Sequence, residues 1–197
     1  MNRKILTAAL VLTSTAMAHQ DLIRTPFVVA SRRGLFYAKV VEADKKATVY
    51  KVAAAEDIPV YALDWDASEM FLAEVDVGTV AVLCRSWIGP ADAQRNAPVL
   101  SFYLNGKIQK EYSLESILGS KMKERFMRSE TMERVFAAVP GFMELEQAIP
   151  YTYSLEKARL AFQVQTSFGS SVLFQIESGE IIKAAQPGAT DNPGDAQ

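Results

Sequence analysis

The stretch whose reading decides the fold is Pro98-Val99-Leu100-Ser101-Phe102-Tyr103-Leu104, then Asn105-Gly106, then Lys107-Ile108-Gln109-Lys110-Glu111-Tyr112. Asn-Gly supplies the two positive-φ residues that a tight type I′ turn requires, and such turns match the twist of paired strands. The stretch therefore predicts an antiparallel hairpin. Upstream, from Leu35 onward, the pattern is again that of strands: Phe36, Ala38 and Val40 alternate, as do Val60 and Ala62, and Val49 and Val52 lie in a further run rich in β-branched and aromatic residues. Polar or turn-forming breaks at Ser31 to Gly34, Glu42 to Lys46 and Ala54 to Pro59 separate these runs, so a meander of antiparallel strands is expected.

Downstream, Leu160, Phe162, Val164 and Val172, Phe174, Ile176 alternate on either side of Ser167-Phe168-Gly169-Ser170. That is a second hairpin, and Glu177 to Gly179 turns into a last short strand. Between the hairpins the period lengthens. Ser113 is placed to cap a short turn at Leu114 to Leu118, and Ser120 to cap a helix from Lys121 to Phe136. Met122, Phe126, Met132, Val135 and Phe136 fall in one half of that helical wheel, which should lie on the sheet. Trp87-Ile88-Gly89-Pro90 opens a polar loop to Ala97. The predicted fold class is mainly β, a β-rich α+β antiparallel sheet or sandwich of hairpins with one covering helix. It forms a single domain from His19 to Ala185, and the polar tail from Gln186 to Gln197 reads as disordered.

The N-terminus reads as a removable export signal. Arg3 and Lys4 form a basic start, Ile5 to Leu12 an apolar stretch, and Ala16-Met17-Ala18 places small residues where a signal peptidase inspects them. A membrane anchor needs about 20 consecutive apolar residues. Here Thr13, Ser14 and Thr15 interrupt the run, so residues 1–18 are expected to be cleaved, leaving a periplasmic or secreted protein that starts at His19. No later stretch is long and apolar enough to span a bilayer as a helix. Cleavage removes Arg3 and Lys4 from the 21 basic residues and none of the 23 acidic ones, so nucleic acid is not an expected partner.

A resemblance follows from several of these segments together. Gly34-Leu35-Phe36-Tyr37-Ala38-Lys39, Thr48-Val49-Tyr50-Lys51-Val52, Leu63-Asp64-Trp65, Phe71-Leu72 and the hairpin from Phe102 to Ser113 resemble a group of uncharacterised exported bacterial proteins, over roughly Ser31 to Leu118. The resemblance implies a β-rich domain with a serine, a small turn and an aromatic strand at its opening. It also implies a closing hairpin of the form F-Y-x-x-G-K-x-x-K-x-Y, but no established activity or site. Ala73 to Gly78 departs from the group's glycine turn flanked by Asp or Asn.

The residues that carry chemistry are few. The single histidine, His19, would become the new N-terminus; a copper brace there needs a second imidazole, which the chain lacks, so copper handling at His19 alone is a third reading, behind the two given below. Ser–His–acid and Cys–His catalysis need an imidazole held beside the nucleophile. The lone Cys84 sits in the apolar run Val80-Ala81-Val82-Leu83-Cys84 and reads as a buried, protonated core residue. Zinc sites of the histidine or paired-cysteine kind lack ligands, and no glycine-rich loop is placed to cradle phosphate. No metal or other cofactor is therefore expected, and no catalytic residues are assigned.

What remains is recognition. Trp65, Trp87 and Tyr103 are the candidate binding residues, and the expected function is a non-catalytic exported module that binds a protein or another envelope component. The alternative is a carbohydrate-active enzyme using Asp64, Asp66 or Glu69 around Trp65, since glycosidases pair two carboxyl groups across the scissile bond. On a strand, however, Asp64 and Asp66 would share one face and Trp65 the other. A core tryptophan at a strand end, with solvated acids beside it, fits that geometry better.

Overall fold

The computed structural model describes residues 26–137, 140–144 and 160–185. The expected signal Met1–Ala18, the terminal His19 and the tail from Gln186 lie outside the described residues. Three four-stranded antiparallel sheets follow one another along the chain. The first runs β1 (Phe27–Ala30), β2 (Phe36–Val41), β3 (Lys46–Lys51) and β4 (Ile58–Asp64) in that order. The second begins with β5 (Glu69–Val75) and β6 (Gly78–Cys84). A short strand β7 (Trp87–Ile88) and a helix α1 (Pro90–Gln94) intervene, and the sheet is completed by β8 (Pro98–Leu104) and β9 (Lys107–Ser113), ordered β5-β6-β8-β9. Helices α2 (Leu114–Leu118) and α3 (Ser120–Arg128) come next, then β10 (Glu133–Arg134), which pairs with β7 as a two-stranded ribbon. The third sheet is β11 (Gly141–Glu144), β12 (Leu160–Gln165), β13 (Ser171–Gln175) and β14 (Ile181–Ala185). The fold is mainly β, as the sequence predicts.

The second sheet is the middle layer of a stack. Because strand residues alternate between faces, β6 contributes to two separate cores. Val80, Val82 and Cys84, with Leu100, Phe102 and Tyr112, pack against Phe162, Val164, Val172 and Phe174 of the third sheet. Ala81 and Leu83, with Met70 and Leu72, pack against Ala38, Val40, Ala47, Val49 and Leu63 of the first. A strand covered on both sides has no solvent face to make polar, which is why β6 reads as an unbroken apolar run. Phe102 anchors the core between the second and third sheets, meeting Phe162 edge-on at 5.8 Å and Phe174 at 5.2 Å. Each such pair contributes about 0.5–1.5 kcal/mol beyond its buried area.

The Asn-Gly turn forms as expected, with φ of +50° at Asn105 and +78° at Gly106. Its side chain does more than turn. Thr79 N donates to Asn105 Oδ1 at 2.9 Å and Asn105 Nδ2 donates to Val77 O at 2.9 Å, so the β8–β9 turn is sewn to the β5–β6 turn. A Cβ at Gly78, where φ is +138°, would stand 2.0 Å from Asn105 Oδ1, so glycine is needed there.

Three expectations are corrected. The helix expected from Lys121 to Phe136 stops at Arg128, and its N-cap is Gly119 rather than Ser120. Ser129 Oγ accepts from Thr131 N and donates to Thr131 O, offering the backbone a local alternative to another helical turn. Beyond it the chain is extended: Val135 N donates to Ser86 O, and Phe136 bridges to Thr166. Val135 and Phe136 are buried as expected, but as extended chain. The loop from Trp87 to Ala97 contains β7 and α1 rather than irregular chain. In β4 a bulge shifts the register so that Tyr61 and Leu63 face inward while Val60 is exposed. The short helix α2 is capped by Ser113 as expected, its Oγ accepting from Ser116 N.

Candidate functional site

The three candidate binding residues do not converge. Trp65 is 6% exposed in the core between the first two sheets, where Phe27 meets it edge-on at 5.7 Å. An indole with no free face is no platform for a ligand, so Trp65 leaves the candidate set. Tyr103 is half-buried on the same face of the second sheet, packed against that core. Burial raises its pKa, and the charges of Glu111 and Asp64 add to this, against a hydrogen bond to Ser101. Trp87 lies beyond the far end of β6, on a ribbon whose Ile88 enters the core on the opposite side of the middle sheet.

Nor do the acids near Trp65 assemble. Asp64 is ion-paired with Lys46, and Asp66 with Arg85, whose guanidinium also donates to Asp66 O and reaches Asp92 at 3.4 Å. Glu69 stands across from Cys84 on the neighbouring strand. Each exposed aspartate is thus matched to a cation, not poised against a partner carboxyl. Among the described residues no three His, Cys, Asp or Glu side chains group to hold a metal ion. Cys84 is fully buried, and burial, reinforced by Glu69, holds its thiol pKa well above the ordinary value. It is the core residue that the sequence implies.

Trp87 is the candidate that faces solvent. It is 48% exposed, while its neighbour Ile88 is buried and fixes the ribbon to the core. Two hydrogen bonds place the approach to it: Ser86 N donates to Ser68 Oγ at 2.8 Å, and Arg85 N to Val99 O at 2.9 Å. Arg134 pairs directly opposite Trp87, and Glu133 opposite Ile88. Side chains directly opposite one another in an antiparallel pair share a face. Trp87 and Arg134 therefore point outward together. Met132, 58% exposed, reaches over Gly89, its Cγ 3.8 Å from where a Cβ on that glycine would stand. The outer face of the ribbon thus carries an indole, a thioether and a guanidinium. Sequence reasoning missed Met132 and Arg134 by placing them on a helix; the Ser129 break was the available signal.

A second exposed surface is the outer face of the first sheet. Tyr37 and Tyr50 stack there at 5.2 Å with planes 12° apart, and Tyr37 Oη donates to Asp57 at 2.9 Å. Val28, Leu35, Val52 and Val60 are exposed around them. The alternation along β2 and β3 shows in the sequence, but which face is covered does not. Among the described residues, no helix is long and apolar enough to cross a membrane. No model of a known protein family matches the chain, and no curated protein is significantly similar to it.

Proposed function

We propose that the chain is an exported, non-catalytic binding module that holds a protein or another envelope component against the exposed face of Trp87, in the periplasm or after secretion. The observation that supports this reading is the half-exposed indole on a ribbon braced from below by buried Ile88. Tryptophan is the side chain most enriched at the energetic centres of interfaces, because it brings a large contact area on a rigid frame. An exposed tryptophan held on ordered backbone loses little freedom on binding. Export rests on the basic start, apolar stretch and small-residue site of residues 1–18. Glycoside hydrolysis gains no comparable support, since Trp65 is buried and Asp64 and Asp66 are each ion-paired.

Intrinsic fluorescence tests the reading, because the two tryptophans differ so sharply in exposure. Fractionated envelope protein, peptidoglycan and lipid would each be titrated into the mature protein and into Trp87→Phe. A fraction that shifts emission in the first and leaves the second unchanged is the expected result. If no fraction moves the emission of the unaltered protein, the reading fails.

A further inference from the structure

We infer that the ligand of the Trp87 face is a polypeptide segment in which an acidic side chain neighbours large apolar ones. This rests on the reading of Trp87 as a contact residue and names the class of partner. The argument begins with Arg134. Every other arginine between residues 85 and 134 is held: Arg85 by Asp66 and Asp92, Arg95 by Asp92, Arg125 by Glu133 while lying over the Phe168 ring, and Arg128 by Glu124. The guanidinium of Arg134 has no ion pair, hydrogen bond or ring contact among the described residues, and its side chain is exposed. Its backbone, by contrast, is fixed, paired with Trp87 and accepting from Ser167 Oγ at 2.6 Å. On this fixed backbone the Arg134 guanidinium, without a partner among the described residues, shares the outer face of the ribbon with the exposed indole and the Met132 thioether.

Each group selects for a different part of a ligand. A guanidinium presents a planar fork of donors that a carboxylate fits with two parallel hydrogen bonds. Indole and thioether surfaces take apolar side chains, the thioether adapting to their shape. A polyanion such as nucleic acid would need a field of cations, whereas acidic residues outnumber basic ones in this chain. An anionic bilayer likewise rewards clustered cations rather than one.

The test uses the mature protein and three short peptides, capped at both ends, that alternate leucine with glutamate, glutamine or lysine. Trp87 emission is followed in the unaltered protein, Arg134→Gln and Arg134→Lys, with vesicles of anionic lipid as a further titrant. The glutamate peptide is expected to bind about tenfold more tightly than the glutamine peptide. That preference should vanish in Arg134→Gln and survive in part in Arg134→Lys. Equal affinity for the two peptides, a preference that persists in Arg134→Gln, or a response confined to vesicles would overturn the inference. If envelope fractions shift Trp87 emission but no peptide does, this inference falls while the contact role of Trp87 stands. If nothing shifts it, both fall.

Discussion

Glu74 is 8% exposed near the end of β5, yet it is charged. Ser31 Oγ donates to it, as do the backbone amides of Arg33 at 3.1 Å and Leu35 at 3.2 Å, so one carboxylate collects the turn that joins β1 to β2. Burial pushes its pKa up, but the hydrogen bonds from Ser31 and the two amides outweigh burial, and the net shift is downward from the ordinary 4.5. A carboxyl whose folded pKa is depressed stabilises the fold above its unfolded pKa and loses that contribution as pH falls through the folded value. Glu74→Gln should therefore cost about 1–3 kcal/mol at neutral pH, and the gap in urea midpoint between the two proteins should close as the buffer is taken well below pH 4.5. A gap that stays constant with pH would show that the charge contributes nothing. The sequence shows the serine and the turn, because Ser31 to Gly34 is turn chemistry. It does not show Glu74 as their partner, since the two are 43 positions apart and only the packing of one sheet on another brings them together.

Elements differ in legibility for a related reason. The β8–β9 hairpin is written locally, in the Asn105-Gly106 turn and the alternation around it. The end of α3 is not: Met132, Val135 and Phe136 suit a helical stripe as well as a strand, and pairing with the backbone of Ser86 to Ile88 decides between them. The ribbon so formed divides its labour. Ile88→Ala should lower stability by about 2–4 kcal/mol by opening a cavity under the ribbon, whereas Trp87→Ala, which removes a half-exposed ring and leaves no closed cavity, should cost clearly less. Thermal melts of both variants check the contrast, and equal losses would mean that Trp87 packs rather than binds. The sewn turns make a second comparison. Gly78→Ala drives a methyl into the Asn105 amide and strains a positive φ, costing about 2 kcal/mol or more. Much of that cost is the broken Asn105 bridge, so in an Asn105→Ala background the same substitution should cost clearly less. Strict additivity would detach the two turns from each other.

At the scale of the molecule, the sequence shows strands in plenty but not that they make three sheets, because alternation identifies a buried face without saying what buries it. Only β6 carries a hint, being apolar on both faces. Its double burial sets how the molecule unfolds. Losing the first sheet would bare Met70, Leu72, Ala81 and Leu83, and losing the third would bare Val82, Leu100, Phe102 and Tyr112. Neither outer sheet can leave without exposing one whole face of the middle one, so the layers should unfold together. Two native probes report the two interfaces separately. Trp65 sits between the first and second sheets, and the lone Cys84 faces the third. In urea, Trp65 emission, read in Trp87→Phe, and the labelling of Cys84 by a thiol reagent should give one midpoint. Leu83→Ala on one face and Val82→Ala on the other should each lower both readings together, by an amount equivalent to about 2–4 kcal/mol for the leucine and less for the valine. Cys84 becoming reactive while Trp65 is still buried would mean that the third layer unfolds alone, and that β6 joins two cores without coupling them.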